Sequence, residues 1–321
     1  MPHLHWNPLL RTWTMVAANR QQRPNRPAGW CPFCPGSGQV PNQYDLLVYP
    51  NDFPALSTQP EALPPGILPE PYRVAEAYGV CEVLLYSDKH DLSFCQLEQA
   101  RIADLIRLWQ ARHRLHSADA RIRYVYPFEN RGEAVGVTLH HPHGQLYAYP
   151  FVPAKLEAEY HASRAHYAAT GRALLDDILL AELALGTGLV TQNEHWVACI
   201  PHFTDYPYGV FVLPRGHWPT LPDLPEAAIS DLAQVLKQVT TAFDALFNKP
   251  FPYMLVTHQA PCNAPEWADA PDWFRFHIEF YPPWRADGVV KYYASSEMGA
   301  GAAANTRNVA DCAAELRALI G

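Results

Sequence analysis

The sequence predicts an α+β fold made of two duplicated antiparallel sheet-plus-helix halves that form one extended sheet. Three observations carry this. A strand, a His-containing turn and an amphipathic helix occur twice in the same order. The segments "EVLLYSDKHDLSFCQLEQARIADLIRLW" and "GVFVLPRGHWPTLPDLPEAAISDLAQVL" superpose without gaps, pairing His90 with His217, Leu97 with Leu224, Asp104 with Asp231 and Leu105 with Leu232. Downstream, "FRFHIEFYPPW" takes the place in the second half that "TLHHPHGQLYAYP" holds in the first.

The elements follow in order. The 31 prolines are densest over 20–75, which predicts loop broken by short strands. Cys81 to Tyr86, "CEVLLY", is a β-rich run. From Leu97 to His116, Ile102, Leu105, Ile106 and Trp109 fall at i, i+3, i+4 and i+7, the stripe of an amphipathic helix. "RIRYVYPFEN" alternates Ile122, Tyr124 and Tyr126 on one face and reads as a strand, and "TLHHPHGQLYAYP" makes the next one. Residues 155–186 have helical composition and read as the connector. In the second copy Ile229, Leu232, Leu236, Val239 and Phe243 supply the apolar stripe. The expected organisation is an N-terminal half over 1–165, a helical connector over 166–184 and a C-terminal half over 185–321.

Composition narrows the function. With 321 residues, 49% of them hydrophobic, the chain can bury a substantial core. A net charge of −8 with scattered Lys and Arg gives no footprint for nucleic acid. There is no run of about 18 uncharged apolar residues, and "MPHLHWNPLLRTW" lacks a basic segment followed by an apolar one. The expectation is a cytoplasmic protein with neither membrane nor nucleic-acid partner. Five of the seven cysteines (Cys81, Cys95, Cys199, Cys262 and Cys312) are isolated and read as reduced, half-buried small hydrophobes. Cys31 and Cys34 instead form C-x-x-C in "WCPFCPGSG", a tight knuckle that can aim two thiolates at one point.

In a strand, alternate side chains share a face, so His141 and His143 would point one way, about 6–7 Å apart, and His140 the other. Such a pair reads as two histidines without a role, as joint ligands of one metal, or as one ligand beside one nucleophile. The knuckle weighs on that choice: a closed zinc site takes four ligands, and with no second C-x-x-C the missing pair must be distant histidines. His141 is one candidate and His90, in the turn before a helix, another. A neutral imidazole is a good nucleophile toward phosphorus, and the phosphorus–nitrogen bond it forms is labile enough to be passed on. Gly144 would let backbone approach phosphate oxygens, and Gln145 would offer an N–H donor to a non-bridging oxygen.

Taken together, "FENRG…HPHGQ", "NRQQRP", "NDF" and "EFYPP…VKYYASSEM" resemble the galactose-1-phosphate uridylyltransferases, the transferase branch of the histidine triad superfamily, over nearly the whole chain. Gln145 stands where hydrolases of that superfamily carry a third histidine. The resemblance implies a histidine-triad-like fold and a double displacement. In it His143 takes UMP from UDP-glucose, releasing glucose 1-phosphate, and galactose 1-phosphate collects it as UDP-galactose. It implies that Gln145 binds the transferred phosphoryl group, and that Cys31, Cys34, His90 and His141 hold zinc. Arg20 and Arg23 match arginines near the nucleotide sugar. Asn51, Asp52, Asn130, Gly136 and Thr138 match uridine, ribose and phosphate contacts. Lys291 and Glu297 match residues that reach the neighbouring subunit's site, so a homodimer is implied.

Departures from the family pattern fall at three places. Some members hold a second metal, iron or zinc, through one Glu and three His; Glu159, His258 and His277 match, but Glu279 replaces the third histidine, and two histidines with two carboxylates can still bind a divalent ion in a structural role. Ala303 stands where relatives often carry a glutamine near the sugar, and Thr138 replaces a serine while keeping its hydroxyl. Nothing in these motifs separates uracil from adenine, so an adenylyl-transferring phosphorylase acting on ADP-sugars or diadenosine polyphosphates is the nearest rival. A non-catalytic zinc-stabilised nucleotide-binding module is a further rival, and it gives no reason for Gly144-Gln145 after His143.

Overall fold

The computed structural model describes residues 2–18, 30–63, 66 and 68–320. Strands β1 (His3–Asn7) and β2 (Thr12–Val16) open the chain, followed by β3 (Leu47–Pro50), β4 (Val74–Glu76) and β5 (Val80–Leu85). Helix α1 (Gln99–Ser117), β6 (Tyr124–Arg131) and β7 (His143–Tyr149) complete the first half. The connector is two helices, α2 (Ala154–Thr170) and α3 (Leu174–Leu185). Gly171 ends α2 with φ +71°, the left-handed cap that glycine adopts at little cost. Then come β8 (Leu189–Gln192), β9 (Trp196–Cys199), β10 (Phe211–Pro214), α4 (Glu226–Leu246), β11 (Tyr253–His258), α5 (Ala270–Trp273), β12 (His277–Tyr281), β13 (Trp284–Ala286), β14 (Val289–Val290) and α6 (Val309–Arg317).

The main sheet has nine antiparallel strands in the order β3-β5-β7-β6-β11-β12-β10-β9-β8, so β6 and β11 join the halves. The register shows how the halves correspond. Gln145 lies between Val83 and Phe128, Glu279 lies between Phe211 and Val256, and Phe128 pairs directly with Val256. A pseudo-twofold axis through that last pair therefore maps His143 onto His277, Gln145 onto Glu279 and Tyr147 onto Tyr281.

This corrects the gapless superposition. In the strands Val83 corresponds to Phe211, 128 positions on, whereas buried Leu105 and Leu232 in the helices are 127 apart. Leu84 faces the helices, and a gapless match would pair it with Phe211, which packs on the other face. Because side chains alternate, a strand cannot absorb a one-residue slip; the second half drops its residue in the turn instead.

One face of the sheet is covered by α1 and α4. Ile102, Leu105, Ile106 and Trp109 of α1 and Ile229, Leu232, Leu236, Val239 and Phe243 of α4 share a core with Leu84, Leu146, Val212 and Ile278. Each large aliphatic or aromatic side chain so buried contributes about 1.5–3 kcal/mol before conformational entropy is subtracted. Ile122 precedes β6 and belongs to this core, while Tyr124 and Tyr126 pack on the opposite face with Leu4, Tyr160 and Trp267, so the expected shared face begins only at Tyr124.

Candidate active site and metal centre

The knuckle packs on the face of the sheet away from α1 and α4, with Phe33 against Val83 and Leu85 of β5. Cys31, Cys34, His90 and His141 each bring a ligand atom to one point, all within 4.8 Å of one another. Cys34 Sγ lies 3.3 Å from Nδ1 of His90 and 3.8 Å from Nδ1 of His141. Two thiols and two imidazoles are the donor set of a tetrahedral zinc site, and the residues fit it. Burial, followed by the hydrogen bond and charge of Cys31, pushes the Cys34 thiol up to about 11; burial pushes His141 down to about 4. His141 is thus the neutral imidazole that ligation needs, and a nearby cation would favour the thiolates.

The outer contacts of His141 set its tautomer. Its Nε2 lies 2.7 Å from the Ser87 carbonyl and 2.7 Å from the Tyr44 hydroxyl, which itself donates to the Phe33 carbonyl at 2.5 Å. A carbonyl only accepts, so Nε2 carries the proton and Nδ1 presents its lone pair to the knuckle. Tyr44 was not singled out from the sequence; it lies ten residues past the C-x-x-C without any local pattern.

His141 lies before β7, in a bend, and not on the strand with His143 as alternation suggested. The two are linked differently. His143, the first residue of β7, has Nδ1 2.7 Å from the backbone oxygen of His141. Nδ1 is therefore the donor and Nε2 carries the basic lone pair. One residue thus faces the knuckle with its ring and holds His143 with its carbonyl.

His143 lines a cleft of about 590 Å³ together with Asn130, Val137, Leu139, His140 and Pro142. Continuing the β6·β7 ladder from the Phe128–Gln145 pair brings Asn130 opposite His143, on one face. A polar layer on the opposite face of β6 lines the same cleft. Tyr253 donates to Glu129 at 3.0 Å, and Arg131 pairs with Asp244 at 2.6 Å. Burial raises the Glu129 carboxyl to about 7. The reason for Gly144 also lies on this side: a Cβ there would collide with the Tyr86 hydroxyl and come within 2.9 Å of the Phe128 carbonyl. Its smallness serves the packing of β7 against Tyr86, a partner that the phosphate argument did not foresee.

The other candidates are dispersed. Arg20 and Arg23 lie outside the described residues. Gly136 has φ +82° and closes a short turn, and Thr138 is exposed beside the cleft residues Val137 and Leu139, on a loop and not in a strand. Asn51 accepts from the Phe53 amide at 2.9 Å and Asp52 accepts from the Tyr49 hydroxyl at 2.9 Å. Lys291 is buried with its ammonium over the ring of Tyr293, 4.2 Å from the centroid, and Glu297 accepts from the Ala294 amide at 3.2 Å. Neither Lys291 nor Glu297 lines the cleft of its own chain.

A second cluster occupies the pseudo-equivalent place. Glu159, His258 and His277 bring ligand atoms within 4.8 Å of one another. His277 repeats the posture of His143, with Nδ1 donating to the carbonyl two residues back, Arg275, at 3.0 Å. Burial opposes protonation of His258, but the Glu159 and Glu279 carboxylates outweigh it and raise its pKa. Glu279 is turned to Lys155, with Nζ 3.0 Å from Oε2, and to the Tyr281 hydroxyl.

The site thus combines a nine-stranded sheet of two corresponding halves with a cysteine–histidine knuckle that buttresses a histidine at a cleft. Two family models match the chain: the N-terminal domain of galactose-1-phosphate uridyl transferase over residues 1–153 and the C-terminal domain over 155–318. The chain belongs to the galactose-1-phosphate uridylyltransferase family. It is 36% identical over 320 residues to galactose-1-phosphate uridylyltransferase of Thermotoga maritima, covering 99% of this chain and 98% of the relative. The Haemophilus influenzae protein of that name is 33% identical, covering 92% and 88%. A solved structure described as that of uridylyltransferase superposes with a TM-score of 0.89 at 29% identity, covering 100% of this chain and 98% of the other. An Arabidopsis thaliana ADP-glucose phosphorylase shares the fold, with a TM-score of 0.75 at 20% identity, covering 99% of each chain. Among the described residues no helix is long and apolar enough to cross a membrane.

Proposed function

We propose that this chain transfers UMP from UDP-glucose to galactose 1-phosphate by double displacement through His143. The observation that carries the mechanism is the bond from His143 Nδ1 to the His141 carbonyl, which leaves the Nε2 lone pair as the attacking electrons. Nε2 forms a bond to the α-phosphorus as the bond to the leaving oxygen of glucose 1-phosphate breaks. The ring then carries positive charge, and the Nδ1–H bond to a carbonyl, stronger for an imidazolium, stabilises it. A phosphate oxygen of galactose 1-phosphate next attacks the same phosphorus, the phosphorus–nitrogen bond breaks, and UDP-galactose leaves with His143 neutral again.

Around that nitrogen, Gln145 binds the non-bridging oxygens, and Asn130, Gly136, Thr138, Asn51 and Asp52 hold the nucleotide. Cys31, Cys34, His90 and His141 hold zinc, which supplies rigidity to the knuckle and thereby fixes the His141 carbonyl. Arg20, Arg23, Lys291 and Glu297 serve the sugar phosphate, the last two across a homodimer.

Intact-mass measurement after mixing with UDP-glucose alone tests this reading: one uridylyl adduct is expected on the wild type and none on His143→Ala. An unmodified wild type in the presence of released glucose 1-phosphate would refute the covalent route. Exchange of glucose 1-phosphate into UDP-glucose should exceed exchange into ADP-glucose, and the opposite preference overturns the uridylyl assignment. Mixing inactive His143→Ala with inactive Lys291→Met should restore activity if the sites are shared between subunits; no recovery removes the shared-site part.

A further inference from the structure

The second cluster poses a question of charge. Some family members are expected to hold a metal at this place, yet here a lysine ammonium is already paired with one of the carboxylates. Three ligand atoms converge, from Glu159, His258 and His277, where a closed structural site takes four. The fourth residue, Glu279, turns Oε1 to Nε2 of His277 at 3.3 Å and Nδ1 of His258 at 3.6 Å, while its Oε2 is engaged by the ammonium of Lys155 at 3.0 Å and by the hydroxyl of Tyr281. Lys155 also hydrogen-bonds to the Tyr281 hydroxyl and sits over that ring, 4.4 Å from its centroid, so the ammonium is held on two sides. Lys155 and Glu159 are one helical turn apart on α2, so a single helix delivers both a cation and a carboxylate to the same point.

The pseudo-twofold axis explains why a cation is needed. Glu279 occupies the ladder position of Gln145, so a neutral amide in one half is a carboxylate in the other. Glu279 is buried and cannot rely on water, and a buried charge must be paired. We propose that Lys155 is the resident cation of this cluster, and that Glu159, His258, His277 and Glu279 form a metal-free ion-pair and hydrogen-bond network, leaving the knuckle as the one tight metal site of the described chain. A divalent ion entering the three-ligand set would have to share Glu279 with an ammonium already paired to it, and like charges so close oppose it.

Metal stoichiometry and cobalt spectroscopy on the full chain test this. Purified protein, dialysed against a weak chelator, should retain one equivalent of zinc per chain. After replacement by cobalt, thiolate-to-cobalt charge-transfer intensity should account for all the bound metal. A second equivalent without thiolate absorption, lost in His277→Ala, would overturn the proposal. The double variant Lys155→Met/Glu279→His removes the ammonium and supplies a third imidazole, and it should gain a second, non-thiolate equivalent. If it folds and still binds one, the lysine is not what excludes the ion and the proposal fails. Should that variant not fold, the wild-type cobalt spectrum alone decides.

Discussion

Replacing Gly144 by alanine tests how His143 is positioned. The new Cβ would run into the Tyr86 hydroxyl and lie 2.9 Å from the Phe128 carbonyl. Neither can step aside: Tyr86 is 1% exposed and packs edge-on against Phe94, and the Phe128 carbonyl belongs to the sheet. Overpacking of this kind costs about 1–3 kcal/mol, and the lower backbone entropy of alanine in the unfolded chain returns up to about 1 kcal/mol. A net loss of about 1–2 kcal/mol is expected, or roughly 2–4 °C of Tm per kcal/mol. The strain falls one residue from His143, and a displacement of a few tenths of an ångström there should slow uridylylation on the order of 10-fold. Thermal melts and quench-flow mass spectrometry of the adduct read the two effects.

Tyr86→Phe provides the control. The buried Tyr86 hydroxyl neighbours the Glu129 carboxyl but makes no well-formed hydrogen bond among the described residues, so removing it alone should cost less than about 1 kcal/mol. In the double variant the nearest obstacle is gone, and at least half of the lost midpoint and rate should return, a coupling of about 1 kcal/mol. A Gly144→Ala protein as stable and as fast as wild type refutes the reasoning. So does a double variant that merely sums the two singles.

Other perturbations bear on the same frame. Cys31→Ser should release the knuckle metal and lower stability by more than about 2 kcal/mol, while altering the single-turnover rate of the remaining folded protein much less; an unchanged melting midpoint speaks against a structural metal. Tyr44→Phe removes a partner of His141 Nε2 and should weaken metal retention by about 10–100-fold in chelator competition, with equal retention refuting that role. Burial raises Glu129 from 4.5 to about 7, so the folded state takes up its proton first. Its contribution is full below pH 4.5 and is lost as pH rises through 7, about 3 kcal/mol in all. Glu129→Gln should lack that loss, and parallel urea-midpoint profiles at pH 5 and pH 8 for the two proteins would refute the burial argument.

The sequence was most legible where periodicity is strict. The apolar stripes of α1 and α4 are buried at each named position, because a helix of that length repeats its signal over several turns. The knuckle was readable because paired thiols need distant partners, while its two histidines were candidates that the family resemblance, not the spacing, completed as a set. What escaped notice is what no local pattern encodes. Tyr44, Tyr86 and Glu129 reach their partners across the fold, from residues 97, 58 and 124 positions away in sequence for Tyr44–His141, Tyr86–Gly144 and Glu129–Tyr253. The link between His141 and His143 runs through a backbone carbonyl, which has no sequence signature, so strand alternation does not reveal it.

The axis through Phe128 and Val256 shows how duplication yields two chemistries from one backbone. In each half a histidine opens the strand and gives its Nδ1 proton to the carbonyl two residues back, so both imidazoles present Nε2 in the same orientation. What differs is two positions further on. Gln145 is uncharged and can meet phosphate oxygens without repulsion, whereas Glu279 would repel them and instead draws Lys155 across the site. The tautomer is therefore set by backbone geometry that both halves inherit, and the task by one side chain at the next same-face position. Access separates the two sites as well as charge: His143 is half-buried at the cleft, whereas His277 is buried with Nε2 3.3 Å from the Glu279 carboxylate.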